Sequence, residues 1–252
     1  MCGVVGIIGK KNASSLVLEG LKKLEYRGYD SAGIASFYQK SIQVAKSEGK
    51  LVNLINKVND LAKDNLYYDT SIALGHTRWA THGNINIKNA HPLTSENRVA
   101  VVHNGIIENY ASIKKTLESE GYVFTSQTDT EVLPHLFNKY LKKGHDFLQA
   151  GRLVLKDIKG AFAFVAICLD FPDQLFVSRN SSPLAIGLGE GSNFVGSDAQ
   201  SINHLTNKII YLEDGDYALI KVNNIDVFDK NSKKIDRKII NVQSELGLIT
   251  KG

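Results

Sequence analysis

AFAFVAICL, residues 161–169, is the most apolar strand-like stretch of the chain, and its surroundings decide the fold class. It is entered through Gly160. Behind it come QLFVSR (174–179), PLAIGLG (183–189), NFVGSD (193–198), KIIYLE (208–213), DYALIKV (216–222) and DVFD (226–229), six short strand-like segments in a row. Ahead of it the pattern predicts helices near 109–120, 130–142 and 146–157. Further upstream, GVVGII (3–8) is a β-branched run bounded by glycine and reads as a buried strand. Asn12 then stands at a helix N-cap position, and Leu16, Leu18, Leu21 and Leu24 mark an apolar helix face ending near Glu25. GIASFY (33–38) and SIQVAK (41–46) read as a hairpin, 50–64 has helical spacing, and IALGH (72–76) and RVAVVH (98–103) read as strands. Strands come in runs and helices in groups rather than in alternation. The expected class is therefore α+β, with antiparallel sheets packed against helices, and not a doubly wound parallel sheet.

The 252 residues suffice for a substantial core. Hydrophobic residues make up 43% and charged residues 22%, ordinary globular usage that argues against disorder. The net charge of +4 is spread out; the densest basic run is Lys233, Lys234, Arg237 and Lys238. Without a basic stripe or a known motif, nucleic-acid binding is not expected. Two cysteines make no disulfide scaffold, and no Cys/His spacing suits a metal or cofactor, so none is expected. The start has no positive region before its apolar run, and no segment approaches the ~18 apolar residues of a membrane span. The expectation is a soluble, reduced, cytoplasmic protein.

Five clusters carry chemistry. Cys2 needs a base, because a thiol of ordinary pKa ~8.5 is mostly protonated at neutral pH. If Met1 is removed, the α-amine of Cys2, with an ordinary pKa of ~7.7–8.0, is well matched to that task. The bland alternative is a small buried hydrophobe. HTRWATHG (76–83) follows a strand and brings Arg78, a fork for carboxylates, together with Thr81, His82, His76 and Trp79. Its bland readings are a surface ion pair for Arg78 and a core position for Trp79. In VHNGIIEN (102–109), Asn104 and Gly105 could form an oxyanion hole, although Asn-Gly read locally is first of all a tight turn. In SQTDTEV (126–132), Thr128 and Glu131 have capping-box spacing and Asp129 would stand in the first helical turn, as a dipole partner or as a receptor for an ammonium group. In YRGYDSAG (26–33), Arg27 and Asp30 could simply pair with each other. Cys168, within the apolar strand, reads as structural.

Taken in order, MCGVVG, YRGYDSAG, HTRWATHG, AHP, VHNGIIEN and TDTEV over residues 1–132, continued by SPLAIGLGEG, FVGSD and EDGDYA, strongly resemble the N-terminal glutaminase domains of the glucosamine-6-phosphate synthase family, which are class II glutamine amidotransferases also called glutamine–fructose-6-phosphate aminotransferases. The resemblance covers nearly the whole chain. It implies a four-layer αββα N-terminal-nucleophile hydrolase fold with two facing antiparallel sheets. It implies that Cys2 attacks the side-chain amide of L-glutamine to form a γ-glutamyl thioester, with its own α-amine passing the proton to the leaving ammonia. Asn104 and Gly105 would hold the oxyanion, Arg78 the α-carboxylate and Asp129 the α-ammonium, while Thr81 and His82 line the pocket and Trp79 lies where ammonia leaves. Residues 1–252 would form one glutaminase domain. A sugar-phosphate isomerase half, which binds fructose 6-phosphate and belongs to a homo-oligomeric enzyme in the family, would lie outside it. Two rivals stand beside this reading: the glutaminase domain of another class II amidotransferase, such as a phosphoribosyl-transferring enzyme or asparagine synthetase, and a non-catalytic module that kept the fold.

Overall fold

In a computed structural model, residues 2–9, 11–28, 30–62, 70–79 and 86–242 are described. The strands are β1 (Gly3–Ile8), β2 (Ser31–Tyr38), β3 (Ser41–Glu48), β4 (Ile72–Arg78), β5 (Leu93–Ser95), β6 (Val99–Ile107), β7 (Gly160–Cys168), β8 (Leu175–Asn180), β9 (Ala185–Gly189), β10 (Ser192–Gly196), β11 (Lys208–Tyr211), β12 (Tyr217–Ile220), β13 (Ile225–Phe228), β14 (Lys234–Ile235) and β15 (Ile239–Asn241). The helices are α1 (Ala13–Leu24), α2 (Leu51–Ala62), α3 (Tyr110–Ser119), α4 (Val132–Lys142) and α5 (Phe147–Asp157). The strands form an eight-stranded sheet in the order β15-β11-β9-β10-β1-β4-β2-β3 and a seven-stranded sheet in the order β14-β13-β12-β8-β7-β6-β5. Every pairing between these strands is antiparallel.

Three hydrophobic clusters make four layers of these elements. Side chains alternate across each strand, so one strand feeds two cores. In β1, Val4 and Ile8 enter the cluster between the sheets, where they meet Leu74, Val102 and Val165. Val5 and Ile7 point the other way, into the cluster with Val17, Leu21 and Leu54 of α1 and α2. In β7, Ala163, Val165 and Ile167 join the inter-sheet core, while Phe162, Phe164, Ala166 and Cys168 face α3, α4 and α5. That two-sided burial explains why the strand reads as an unbroken apolar run. Cys168 is fully buried and its thiol pKa is pushed up to about 11 by burial, in keeping with a structural role. Helix α5 starts on a reciprocal capping box between Asp146 and Gln149. Its Gly151 lets the Phe176 ring of β8 approach: a Cβ there would lie 2.1 Å from the ring.

Helix and strand positions follow the sequence reading, and its local details need four corrections. Asn12 is the N-cap of α1, yet in a left-handed conformation and with no side-chain cap; Thr70 instead accepts from Ala13 N–H through its carbonyl and from Ser14 N–H through its hydroxyl. Thr128 makes no capping box with Glu131. The Glu131 carboxylate turns back to accept from Thr125 N–H at 2.8 Å and Ser126 N–H at 2.7 Å, and these bonds hold its pKa down despite burial. Asn104-Gly105 is not a turn, because β6 runs on through it to Ile107. The short strands β5, β14 and β15 carry too few residues for a readable period. The predicted helical positions 63 and 64 lie outside the described residues. Two residues of the basic run near the end are ion-paired: Lys234 with Asp226, and Arg237 with Asp216 and Glu213.

Candidate active site

Two neighbouring sheets deliver their strand ends to one place. β1 starts beside the end of β4, with Gly3 paired to Thr77, so Cys2 lies next to Trp79. Trp79 N–H donates to the Cys2 sulfur at 3.2 Å, and the thiol faces the Trp79 carbonyl at 3.5 Å. From the opposite sheet, the Asn104 amide reaches across: its Nδ2 donates to the Cys2 carbonyl at 3.1 Å, and its Oδ1 lies 3.0 Å from His76 Nε2. The side chain that local reading assigned to a turn is therefore fixed at both ends inside a strand.

Gly105 follows with φ +115°, a conformation that favours glycine. A Cβ there would lie 2.0 Å from the Ala161 carbonyl oxygen of β7. Beyond it, Ile107 N–H donates to Asp129 Oδ2 at 2.6 Å, which ties the carboxylate to the end of β6. Asp129 opens a single 3-10 turn (Asp129–Glu131) ahead of α4. Together Cys2, Arg78, Trp79, Asn104, Gly105 and Asp129 line one cavity of about 290 Å³.

Burial sets the electrostatics. The Cys2 thiol pKa is raised above its ordinary value, first by burial and against the Trp79 hydrogen bond and the nearby Arg78 charge, which lower it. A pre-formed thiolate is therefore disfavoured, and a nucleophile here needs a base that acts during attack. Arg78 is only 5% exposed, which overturns the surface ion-pair reading. Burial lowers its pKa, opposed by the charges of Cys2, Asp30 and Asp129. Trp79 is 43% exposed and is not a core residue. Thr81 and His82 lie outside the described residues, as does the side chain of Arg27.

Three histidines support this wall; two of them, His91 and His103, lie within the AHP and VHNGIIEN motifs but have no ligand-like spacing in the sequence. The His76 and His91 rings lie 4.3 Å apart and the His91 and His103 rings 6.4 Å apart. His91 Nδ1 accepts from His103 N–H, and His103 Nδ1 lies 2.8 Å from the Thr130 hydroxyl. No motif spacing revealed them, since their proximity comes from pairing β4 to one sheet and β5–β6 to the other. Among the described residues, no group of three His, Cys, Asp or Glu side chains is arranged to hold a metal ion.

Burial pulls the His76 pKa down to about 3, that of His91 well below the ordinary 6.5, and that of His103 below it too. All three rings are thus neutral in the folded state, and the unfolded chain binds more protons below pH ~6.5. Their contribution to stability is complete above that pH and is lost as pH falls toward 3. Denaturant titrations at pH 7.5 and pH 5 should show the folded state weaker at pH 5, with proton uptake on unfolding. A stability flat across this range would contradict neutral burial of the cluster.

Residues 76–204 match a family model described as a glutamine amidotransferase domain. Over its full length the chain is 48% identical to a glutamine–fructose-6-phosphate aminotransferase [isomerizing] of Fusobacterium nucleatum, of which it covers 41%. It is 45% identical to the protein of that name in Acinetobacter baylyi, of which it covers 40%. The chain thus spans about two fifths of the length of these relatives. Among solved structures, a glutamine phosphoribosylpyrophosphate amidotransferase from B. subtilis superposes with a TM-score of 0.75 at 26% identity, covering 92% of this chain and 50% of that one.

Proposed function

The chain belongs to the glutamine amidotransferase domain family, and from that premise we propose that its cavity hydrolyses the side-chain amide of L-glutamine to glutamate and ammonia, with Cys2 as nucleophile. One observation carries the reading: a thiol, a strand-held amide, a glycine with positive φ, a guanidinium and a carboxylate all line the same cavity. In the proposed reaction the Cys2 sulfur attacks the amide carbon of glutamine. The α-amine of Cys2, free once Met1 is removed, takes the thiol proton and delivers it to the departing ammonia. Water then cleaves the γ-glutamyl thioester and regenerates the thiol. The raised thiol pKa fits this scheme, since the proton stays on sulfur until the substrate is in place.

The Asn104 amide and Gly105 N–H would stabilise the oxyanion, where donors fixed in advance act without reorganisation. Asn104 is suited to this because His76 and the Cys2 carbonyl hold its plane. Arg78 and Asp129 would receive the two charges of the zwitterionic substrate, carboxylate and ammonium respectively. The Ile107 N–H occupies only one Asp129 oxygen. Thr81 and His82 complete the pocket in this proposal, and the exposed Trp79 borders the route by which ammonia leaves.

The acceptor follows from the relatives. Full-length identity of 45–48% to the fructose-6-phosphate aminotransferases, against 26% to the superposing glutamine phosphoribosylpyrophosphate amidotransferase, supports a role in making glucosamine 6-phosphate. In that role the fructose 6-phosphate site belongs to a sugar-phosphate isomerase half, in a homo-oligomeric cytoplasmic enzyme. Among the described residues, no helix is long and apolar enough to cross a membrane.

Asp129→Asn preserves shape and the bond from Ile107 while removing the charge. It is expected to raise KM for L-glutamine about 100-fold, the scale of one unpaired buried charge, with a smaller change in kcat. It should also abolish the preference for L-glutamine over its des-amino analogue. If that preference survives, the ammonium is bound elsewhere.

A further inference from the structure

A second cavity, of about 280 Å³, shares no lining residue with the Cys2 cavity. It is bounded by the C-terminal part of α5, the start of β7, the end of β8, β12 and the β13–β14 turn. Four cations line it, Arg152, Lys156, Lys159 and Lys230, and no Asp or Glu does. The four stand against a formal net charge of +4 for the entire chain, so this is a concentrated field on a weakly charged molecule. Elsewhere the arginines Arg98, Arg179 and Arg237 each have a carboxylate partner. The dipole at the end of α5 accounts for Lys156, in its last turn, but not for the other three.

Arg152 is built into place rather than left on the surface. Its Nε donates to the Tyr217 hydroxyl at 2.8 Å, and its guanidinium packs over the Phe228 and Tyr217 rings at 4.6 and 5.7 Å. This use of Nε and of the flat face spares the two terminal nitrogens, the pair that grips an oxyanion in a fork. The β13–β14 turn brings Lys230 over the cavity because Gly215 leaves room: a Cβ on Gly215 would lie 2.8 Å from the Lys230 Cβ. Four cations exceed what one carboxylate needs and match the two or more charges of a phosphate or diphosphate group. The cavity is open on one side, with Phe162 and Tyr217 in its wall, and its volume suits the head group of a small molecule.

We propose that this cavity binds a phosphorylated small molecule through its mono- or diphosphate group, at a site separate from glutamine hydrolysis. Calorimetric titration of the full chain at low ionic strength, with inorganic phosphate and pyrophosphate as probes, tests it. Saturable binding of pyrophosphate is expected, tighter than that of phosphate and weakened by added salt. Arg152→Gln and Lys230→Ala should each weaken it about tenfold, the worth of one charge-assisted contact. Lys115→Ala, on the exposed face of α3, should leave it unchanged. Lys230 is exposed, so its variant should fold normally even if Arg152→Gln loses stability with its ring contacts. Glutamate release from L-glutamine should be unaffected in every variant. The proposal is overturned if pyrophosphate does not saturate below about 10 mM, if Lys230→Ala binds as wild type, or if only an extended polyanion such as an oligonucleotide or an acidic peptide binds.

Discussion

Cys2→Ala is expected to abolish glutamate release from L-glutamine, by a factor of about 10⁴ or more, while the melting curve stays close to wild type. The two outcomes are separable because of where the sulfur sits. Among the described residues its hydrogen bonds are confined to the Trp79 backbone, it belongs to none of the three hydrophobic clusters, and β1 starts only at Gly3. Removing it should cost less than about 1 kcal/mol of stability. For the reaction it is the sole proposed nucleophile, and loss of such a group removes most of the acceleration. The variant should also retain glutamine binding, because Arg78 and Asp129 are untouched. An alanine variant that still turned over at a tenth of the wild-type rate would place the chemistry on another group.

Gly105→Ala is expected to damage both fold and reaction. The added Cβ would lie 2.0 Å from the Ala161 carbonyl oxygen, so β6 and β7 must part locally. The φ of +115° adds strain for any L side chain. A loss of about 3 kcal/mol is reasonable for strain plus a backbone clash, or roughly 6–12 °C in Tm for a chain of this size. Activity measured well below the melting temperature should fall by about 10²-fold, because alanine keeps the N–H but the clash moves this oxyanion donor out of place. Thermal melts and steady-state rates on one preparation read both effects. An alanine variant with wild-type rate would show that Gly105 serves packing only.

The layered fold was legible because the strands are buried on two faces and their apolar runs are long. AFAFVAICL could be read directly; β14, with two residues, could not. Asn104-Gly105 misled local reading because the dipeptide that favours a turn also supplies an amide and a positive-φ glycine inside a strand. Asn12 and Thr128 have the right identity for capping, but the caps are made by Thr70 in one case and replaced by the Glu131 contacts in the other, both set by tertiary packing. The same holds for the site. Cys2, Arg78 and Asp129 were each ambiguous alone, and their order along the chain gave them meaning through resemblance. His91 and His103 lie within quoted motifs, yet nothing local pairs them, because their proximity depends on two sheets facing each other.

The most direct test of Cys2 as a glutamine-cleaving nucleophile is the intact mass of Met1-free protein quenched in acid during turnover of L-glutamine. A single γ-glutamyl adduct is expected that maps to Cys2, disappears as glutamine is exhausted, and is absent from Cys2→Ala. Glutamate release from the wild-type chain without any such adduct, or an adduct on another residue, would contradict Cys2 as the nucleophile.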